Sequence, residues 1–396
     1  FRFLWIGNFF ANTAQWLQLL SVGWLVRDLT DSFASSGLLV VTVGGMTTLP
    51  TLIVGPWAGV LGDRVDRRKL VMVVQAFMAI AAIAFALIVS SGHVEWWHAY
   101  IYVVISGVCW STTLTMRQTL VANTVPREAL VNAYASNTLT ITGTRMIGPF
   151  IGGVLIITVG FSWNFVIEAC LYAATVLAFL PMKTPYTQQR PTRSGGSPLA
   201  NFMEGIRYVR KEERVIWNLL LLGLIPNVLL HPAWFVLPVF TVDVLHRSAD
   251  VGGVLLAVTG LGGLVSALTI ASVGFGTNRG MICLWSIVLA SISVLLFAHS
   301  HWLVPAAILI GLMSLAQATF RTSSSTLIQS LVPDHLRSRI TSLHLYSQGF
   351  VFMSSLAVGL LVDLTSVVIA LTAVGVAGLV LGSISYMILP RVRQAR

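Results

Sequence analysis

Apolar residues fill this chain in long stretches with few polar breaks. Between Ser36 and Gly62 no residue is charged, and none is charged between Val251 and Asn278. A soluble helix of that length keeps a polar face, and these stretches have few polar positions. About 20 apolar residues cross a bilayer as a helix. Such stretches recur throughout, and the pattern predicts twelve spans beginning near Phe3, Gly37, Leu70, Ala99, Asn132, Asn164, Arg214, Val251, Met281, Leu303, Arg339 and Ser366. Short joints with turn chemistry separate them, among them TDSFASSG, SSGHVEWW and NTVPRE. One interruption is long. It contains QQRPTRSGGSP, and the LANFMEGIRYVRKEER that follows reads as an amphipathic helix on the membrane surface. The expected architecture is an all-α membrane protein with twelve transmembrane helices in two pseudo-symmetric six-helix bundles. The bundles cover residues 1–182 and 214–396, and a linker covers 183–213. No cleavable signal segment is visible, and a first residue of Phe suggests a trimmed chain whose opening residues already belong to a span.

Composition agrees with this reading. Hydrophobic residues make up 56% and charged ones 10%, where a soluble domain carries about 25% charged residues. The net charge of +10 is a topology signal and does not point to nucleic acid. With both termini cytoplasmic, every Lys and Arg falls in cytoplasmic loops, linker or tails except external Arg27 and Arg247 and intramembrane Arg117, Arg145 and Arg321. That cationic face suits anionic lipid headgroups. Cys109, Cys170 and Cys283 lie inside spans and far apart, so neither a disulfide nor a metal site of CxxC type is expected. An enzyme would need a nucleophile with its base, or clustered metal ligands. No HExxH, GxSxG or Cys/His cluster occurs, and no appended soluble sensor domain is expected.

The two halves echo each other. LVANTVPREALVNAYAS follows the fourth span and LIQSLVPDHLRSRITSL the tenth, with Val125-Pro126 and Val332-Pro333 207 residues apart (332 − 125). The same offset carries Gly152 onto Gly359. Two six-span halves related by an axis along the membrane normal form a transporter architecture.

Charge gathers in GVLGDRVDRRKL, where Asp63 to Lys69 holds six charges in seven residues. Gly59-x-x-x-Asp63-Arg64-x-x-Arg67-Arg68 resembles motif A of the major facilitator superfamily, with Asp66 where that family usually has Gly. TRMIGPFIGG, with Gly148, Pro149, Gly152 and Gly153, resembles motif C of its drug:proton antiporter branch. PDHLRSR is similar to the family's Pro-Glu-x-x-Arg-Gly-Arg turn. In style the chain is closest to the branch that holds enterobactin exporters and macrolide efflux proteins. The short cytoplasmic loop helps fix topology, either as its whole role or beside a second one. The resemblance implies in addition that Asp63 pairs with an Arg and with the helix start of span eleven, latching the halves shut on the inside, with Arg117 an internal candidate partner. For motif C it implies a tight contact with a neighbour in the other half, or ordinary helix packing.

Polar residues inside spans supply the candidate site. Asn8, Asn12 and Gln15 share one narrow face of span one, and Asn227 and His231 lie at i, i+4 in span seven. Both spans line the central cavity in the family, and a polar stripe facing lipid would be costly. Such residues either touch substrate or bridge helices. Trp16, Trp110 and Trp234 could supply flat walls. Three intramembrane Arg against one clear acid, Glu168, favour an anionic or neutral substrate, with Arg145 as the foremost anion contact. Glu168 and His231 are the groups that could carry a coupled proton, with Asp28 and Asp31 at the outer mouth of span one in reserve. Antiporters of the related branch often use an acid within span one, and here none lies deep in it. The expectation is a monomeric, proton-driven exporter of a small organic molecule, siderophore-like or otherwise anionic, in a bacterial cytoplasmic membrane. It needs lipid and a proton gradient, and no cofactor or metal. The alternatives are a polyspecific drug exporter with structural arginines and, behind it, a lipid or solute uptake facilitator.

Overall fold

The computed structural model describes residues 1–186, 203, 207, 209, 210, 214–273, 278–332 and 347–394, apart from the side chains of 56, 58–64, 131 and 273. Helices account for every regular element among them. Span one is Arg2–Leu29, and span two is a pair of helices, Ser36–Met46 and Leu49–Arg64. Spans three to six are Arg67–Ser90, Trp96–Thr124, Leu130–Val159 and Phe161–Phe179. Span seven begins at Arg214 and ends at Asp243 in several pieces. Spans eight to ten are Ala249–Val273, Arg279–Ala298 and Leu303–Leu331. Span eleven is described from Ser347 to Leu364, so its expected start near Arg339 lies outside the described residues, as does most of the surface helix expected before Arg214. Span twelve is Val367–Ile388, followed by a short turn of helix, Pro390–Arg393.

Eleven of these elements are long and apolar enough to cross a membrane. Span one makes the twelfth. Its 28 residues reach about 42 Å at the helical rise, but Asn8, Asn12, Thr13, Gln15 and Gln18 lower its hydropathy. That polarity is affordable because Asn8, Asn12, Thr13 and Gln18 are buried in protein, not set against lipid. Outward-facing residues such as Ile80, Leu87, Leu177, Val304 and Met387 are apolar and strongly exposed, as a lipid-facing belt requires.

Local chemistry sets several boundaries. Asp66 caps span three, accepting from the backbone N–H of Arg68 at 2.9 Å and of Lys69 at 3.3 Å. The acidic residue that departs from motif A therefore serves as a helix cap. Arg68 then reaches the last carbonyls of span six, donating from Nε to Phe179 at 2.9 Å and from Nη2 to Leu180. A guanidinium at a helix C-terminus satisfies orphan carbonyls and the negative end of the dipole.

The halves meet along two seams, span two against span eleven and span five against span eight. The first seam is closest on the face opposite the chain ends, hereafter the far face. There Asp363 Oδ1 accepts from the backbone N–H of Leu38 at 3.1 Å, Gly37 lies against Val362 and Asp363, and Gly359 lies against Leu38. The carboxylate of one half thus caps the start of span two in the other. Arg27 Nη2 adds an ion pair to Asp243 at 3.0 Å, while its Nη1 pairs with Asp31. Further along the first seam Leu52 lies against Gly349. Along the second, Thr142 faces Gly263 at 3.6 Å, measured to the Cβ position of the glycine. Toward the chain-end face, Tyr134, Leu139, Val265 and Leu268 are exposed. The molecule is closed at the far face.

Candidate functional site

Span seven does not run as a continuous helix. It is α-helical over Arg214–Leu224, a π turn over Ile225–Leu229, a 3₁₀ turn over His231–Trp234 and α-helical again over Leu237–Asp243. The cause is in LIPNVLLHPAWFVLP, where Pro226, Pro232 and Pro238 each lack a backbone donor. The i, i+4 relation expected of Asn227 and His231 in a regular helix is therefore replaced by a broken segment. Carbonyls freed by the break are met from neighbouring spans. Gln317 Nε2 of span ten donates to the Pro226 carbonyl at 3.0 Å, and Ser354 Oγ of span eleven donates to that of Val228 at 2.7 Å. Broken helices at membrane depth persist where protein or a cavity satisfies them.

Arg145 sits opposite this break and touches both halves. It belongs to span five, yet Nε donates to Thr259 Oγ1 of span eight at 3.1 Å. Its guanidinium lies 3.9 Å from the ring of Trp234 in span seven and 5.0 Å from that of Trp16 in span one. Both distances suit cation–π attraction. The His231 ring is 4.4 Å from Trp234, and Arg321 of span ten is close enough for its charge to act on both Arg145 and His231. Two tryptophans, two arginines and an imidazole therefore converge from spans one, five, seven and ten. Several polar atoms around the break have no hydrogen-bond partner among the described residues. They are Arg145 Nη2, His231 Nδ1, Trp234 Nε1, Gln317 Oε1 and both amide atoms of Asn227. Buried polar groups are nearly always paired, and these atoms are unpaired among the described residues.

The span-one stripe has another use. Asn8 Nδ2 donates to Asn137 Oδ1 at 2.9 Å, tying span one to span five. Arg117 Nη1 donates to Asn12 Oδ1 at 3.0 Å and stacks over Trp110 at 5.0 Å. The described contacts of Asn8, Asn12 and Arg117 are thus helix bridges within the first half. Gln15 is half-buried. Gln18 lies one turn further on, where Oε1 accepts from Ser106 at 2.6 Å. Glu168 is fully buried, accepting from the Tyr102 hydroxyl at 2.6 Å with Tyr172 beside it. Tyr172 also lies within electrostatic reach of Arg117, so carboxyl, phenol and guanidinium follow one another inside the first half. Asp28 is exposed at the far face, away from this network.

The sequence pattern of the family described as transmembrane secretion effector matches residues 1–395. The chain belongs to that family. It is a secondary transporter of the major facilitator superfamily, an integral membrane protein and not an enzyme. It is 26% identical to the enterobactin exporter EntS of Escherichia coli, over 100% of this chain and 93% of that protein. It is 22% identical to the staphyloferrin A transporter of Staphylococcus aureus, over 98% and 96%. Among solved structures, the fold matches a D-xylose-proton symporter with a TM-score of 0.75 at 12% identity, covering 99% of this chain and 98% of that one. A bacterial homologue of the lysosomal transporter Spinster, inward-facing and unoccupied, also matches at 0.75 and 12%, covering 98% and 97%.

The motif glycines and charges of this secretion family member divide their work. Gly148 and Gly152 pack on span one of the same half, against Thr13, Trp16, Leu17 and Leu20, whereas Gly153 meets Ala249 and Gly253 of span eight. Span five continues helical through Pro149. The side chains of Gly59, Asp63 and Arg64, and the start of span eleven that would receive Asp63, lie outside the described residues. Arg67 follows the Asp66 cap at the start of span three. Thr259 and Gln317 were not signalled by sequence spacing, because each acts only through a residue of another span.

Proposed function

We propose that this transporter exports an anionic organic metabolite of siderophore type, bound between the halves against Arg145. The observation that carries the proposal is the unpaired Nη2 of Arg145, held between Trp16 and Trp234 with Arg321 and His231 nearby. A planar catecholate or carboxylate could accept from the guanidinium and lie against the indoles, and anion binding by a guanidinium is strongest in forked geometry. The two siderophore transporters among the relatives support the substrate class. If the chain-end face is cytoplasmic, as its basic residues imply, the closed far face is external and substrate enters from the cytosol. Export then requires the far-face contacts of Arg27, Asp243 and Asp363 to part while the near face closes.

Glu168 is the proposed proton carrier. A buried carboxyl loads or releases a proton only when water reaches it, so its occupancy can follow which face is open. In everted vesicles from a bacterial inner membrane, an imposed pH gradient should drive uptake of a catecholate siderophore. Glu168→Gln keeps the shape and an oxygen acceptor for Tyr102 but cannot cycle a proton. It should lose at least about tenfold of the gradient-driven rate while catecholate affinity stays within about twofold. Unchanged gradient dependence would remove Glu168 from the coupling.

A polyspecific drug exporter is the second reading. It is favoured by the bond from Arg145 to Thr259, which lets the arginine serve as a strut between the halves. Uptake of cationic dyes in preference to anions would select it.

A further inference from the structure

A second basic site lies away from the central one, at the chain-end face of the second half. Span seven begins there and span twelve ends there. A cavity of about 480 Å³ is lined by Arg210, Arg214, Trp217, Asn218, Leu389 and Arg391, with Ile388 and Pro390 at its edge. Three guanidiniums therefore share one opening with an indole and an amide. All three are exposed, and no salt bridge is described for any of them. Below the opening the wall turns apolar. On span seven, Arg214, Trp217, Leu221 and Leu224 follow at helical spacing. On span twelve, Ile384 and Ile388 lie at i, i+4, and Arg391 lines the cavity from the short turn of helix beyond Leu389. Leu221, Leu224, Ile384 and Ile388 are exposed, as lipid-facing positions of two spans would be. Behind this wall the segment is firmly anchored, since Val209, Ile216 and Val392 are wholly buried in one apolar cluster.

We infer that this cavity holds the headgroup of an anionic phospholipid, with its acyl chains against Leu221, Leu224, Ile384 and Ile388. Arginine forks match a phosphodiester, and tryptophan suits the headgroup level of the bilayer. A free anion would use the arginines but not the apolar wall beneath them. A zwitterionic lipid would bring its own cation to a site whose described charges are three guanidiniums. Basic pockets between transmembrane helices on the cytoplasmic side are places where anionic headgroups bind. The site adjoins the chain that leads from the linker into the broken span seven. A bound lipid would therefore tie that entry to the end of span twelve.

The test is native mass spectrometry of the full chain in detergent, titrated with phosphatidylglycerol, phosphatidylcholine or inorganic phosphate. We expect one phosphatidylglycerol retained per chain, bound at least about tenfold more tightly than phosphatidylcholine. Phosphate at equal concentration should not displace it. Arg214→Ala with Arg391→Ala should weaken retention about tenfold or more, as loss of two charge-assisted contacts requires. Arg214→Lys with Arg391→Lys, which keeps the charge if the alanine pair folds poorly, should weaken it less. Arg127→Ala with Lys183→Ala, two cations outside the cavity, should leave it unchanged. Equal retention of both lipids, displacement by phosphate, or a loss as large in the Arg127/Lys183 pair would each overturn the assignment.

Discussion

Arg145→Ala should weaken binding of a catecholate or carboxylate substrate about a hundredfold and reduce transport to near background. A hydrogen bond to a charged group contributes about 1.5–3 kcal/mol, and a substrate anion left unpaired in a desolvated site adds a further cost. Since about 1.4 kcal/mol corresponds to tenfold, a hundredfold loss needs only one such interaction and part of the penalty. The indoles of Trp16 and Trp234 flank the guanidinium, so quenching of tryptophan fluorescence during titration gives a direct reading. Arg145→Lys separates charge from shape. Lysine keeps the cation but cannot bond Thr259, stack between two rings and present a fork at once, so it should restore only part of the affinity. Thermal unfolding of the unliganded variants must accompany the titration, because Arg145→Ala also removes the bond from span five to Thr259. Unchanged catecholate affinity in a folded Arg145→Ala protein would leave the arginine a strut and the anion reading without support.

Much of this site follows from the chain read residue by residue. Apolar runs place the spans, and the observed starts at Arg2, Ser36, Arg67, Trp96, Leu130, Phe161 and Arg214 fall within a few residues of expectation. Shifts have local causes. Span three starts at Arg67, ahead of its apolar run at Leu70, because Asp66 caps it. Arg145 stands out as a charge in mid-span. What spacing does not carry is partnership across spans. The stripe Asn8, Asn12, Gln15 is visible on a helical wheel. That Asn8 meets Asn137 and Asn12 meets Arg117 depends on how helices more than 100 residues apart are packed. The break in span seven was signalled by three prolines six residues apart, whereas reading Asn227 and His231 as helix neighbours assumed a regular helix. Thr259 and Gln317 look like ordinary span residues until Arg145 and Pro226 are set beside them.

The seam between spans five and eight yields the second large effect, through a glycine that the closed far face cannot do without. A Cβ at Gly153 would lie 2.8 Å from the Ala249 carbonyl oxygen and 3.1 Å from the Gly253 Cα. Both obstacles are backbone, so no rotamer change relieves them, and the two helices must move apart. Close backbone approach through small residues is how membrane helices pack without a hydrophobic drive. Overpacking a well-fitted contact costs about 1–3 kcal/mol. In a protein that exchanges between two conformations, that cost falls only on the state in which the seam is shut. Gly153→Leu should therefore shift the balance about tenfold to a hundredfold away from far-face closure and abolish transport, while each half stays folded. Gly143 supplies the control on the same helix, since nothing among the described residues lies within 4 Å of its Cβ position, and Gly143→Leu should leave the balance unchanged. Spin labels at Ser32 and Ser248, exposed residues at the far face, would report the separation by double electron–electron resonance in a background with Cys109, Cys170 and Cys283 replaced. A longer distance in Gly153→Leu alone is expected. An unchanged distance with normal transport would mean that the closed far face does not depend on this close approach of spans five and eight.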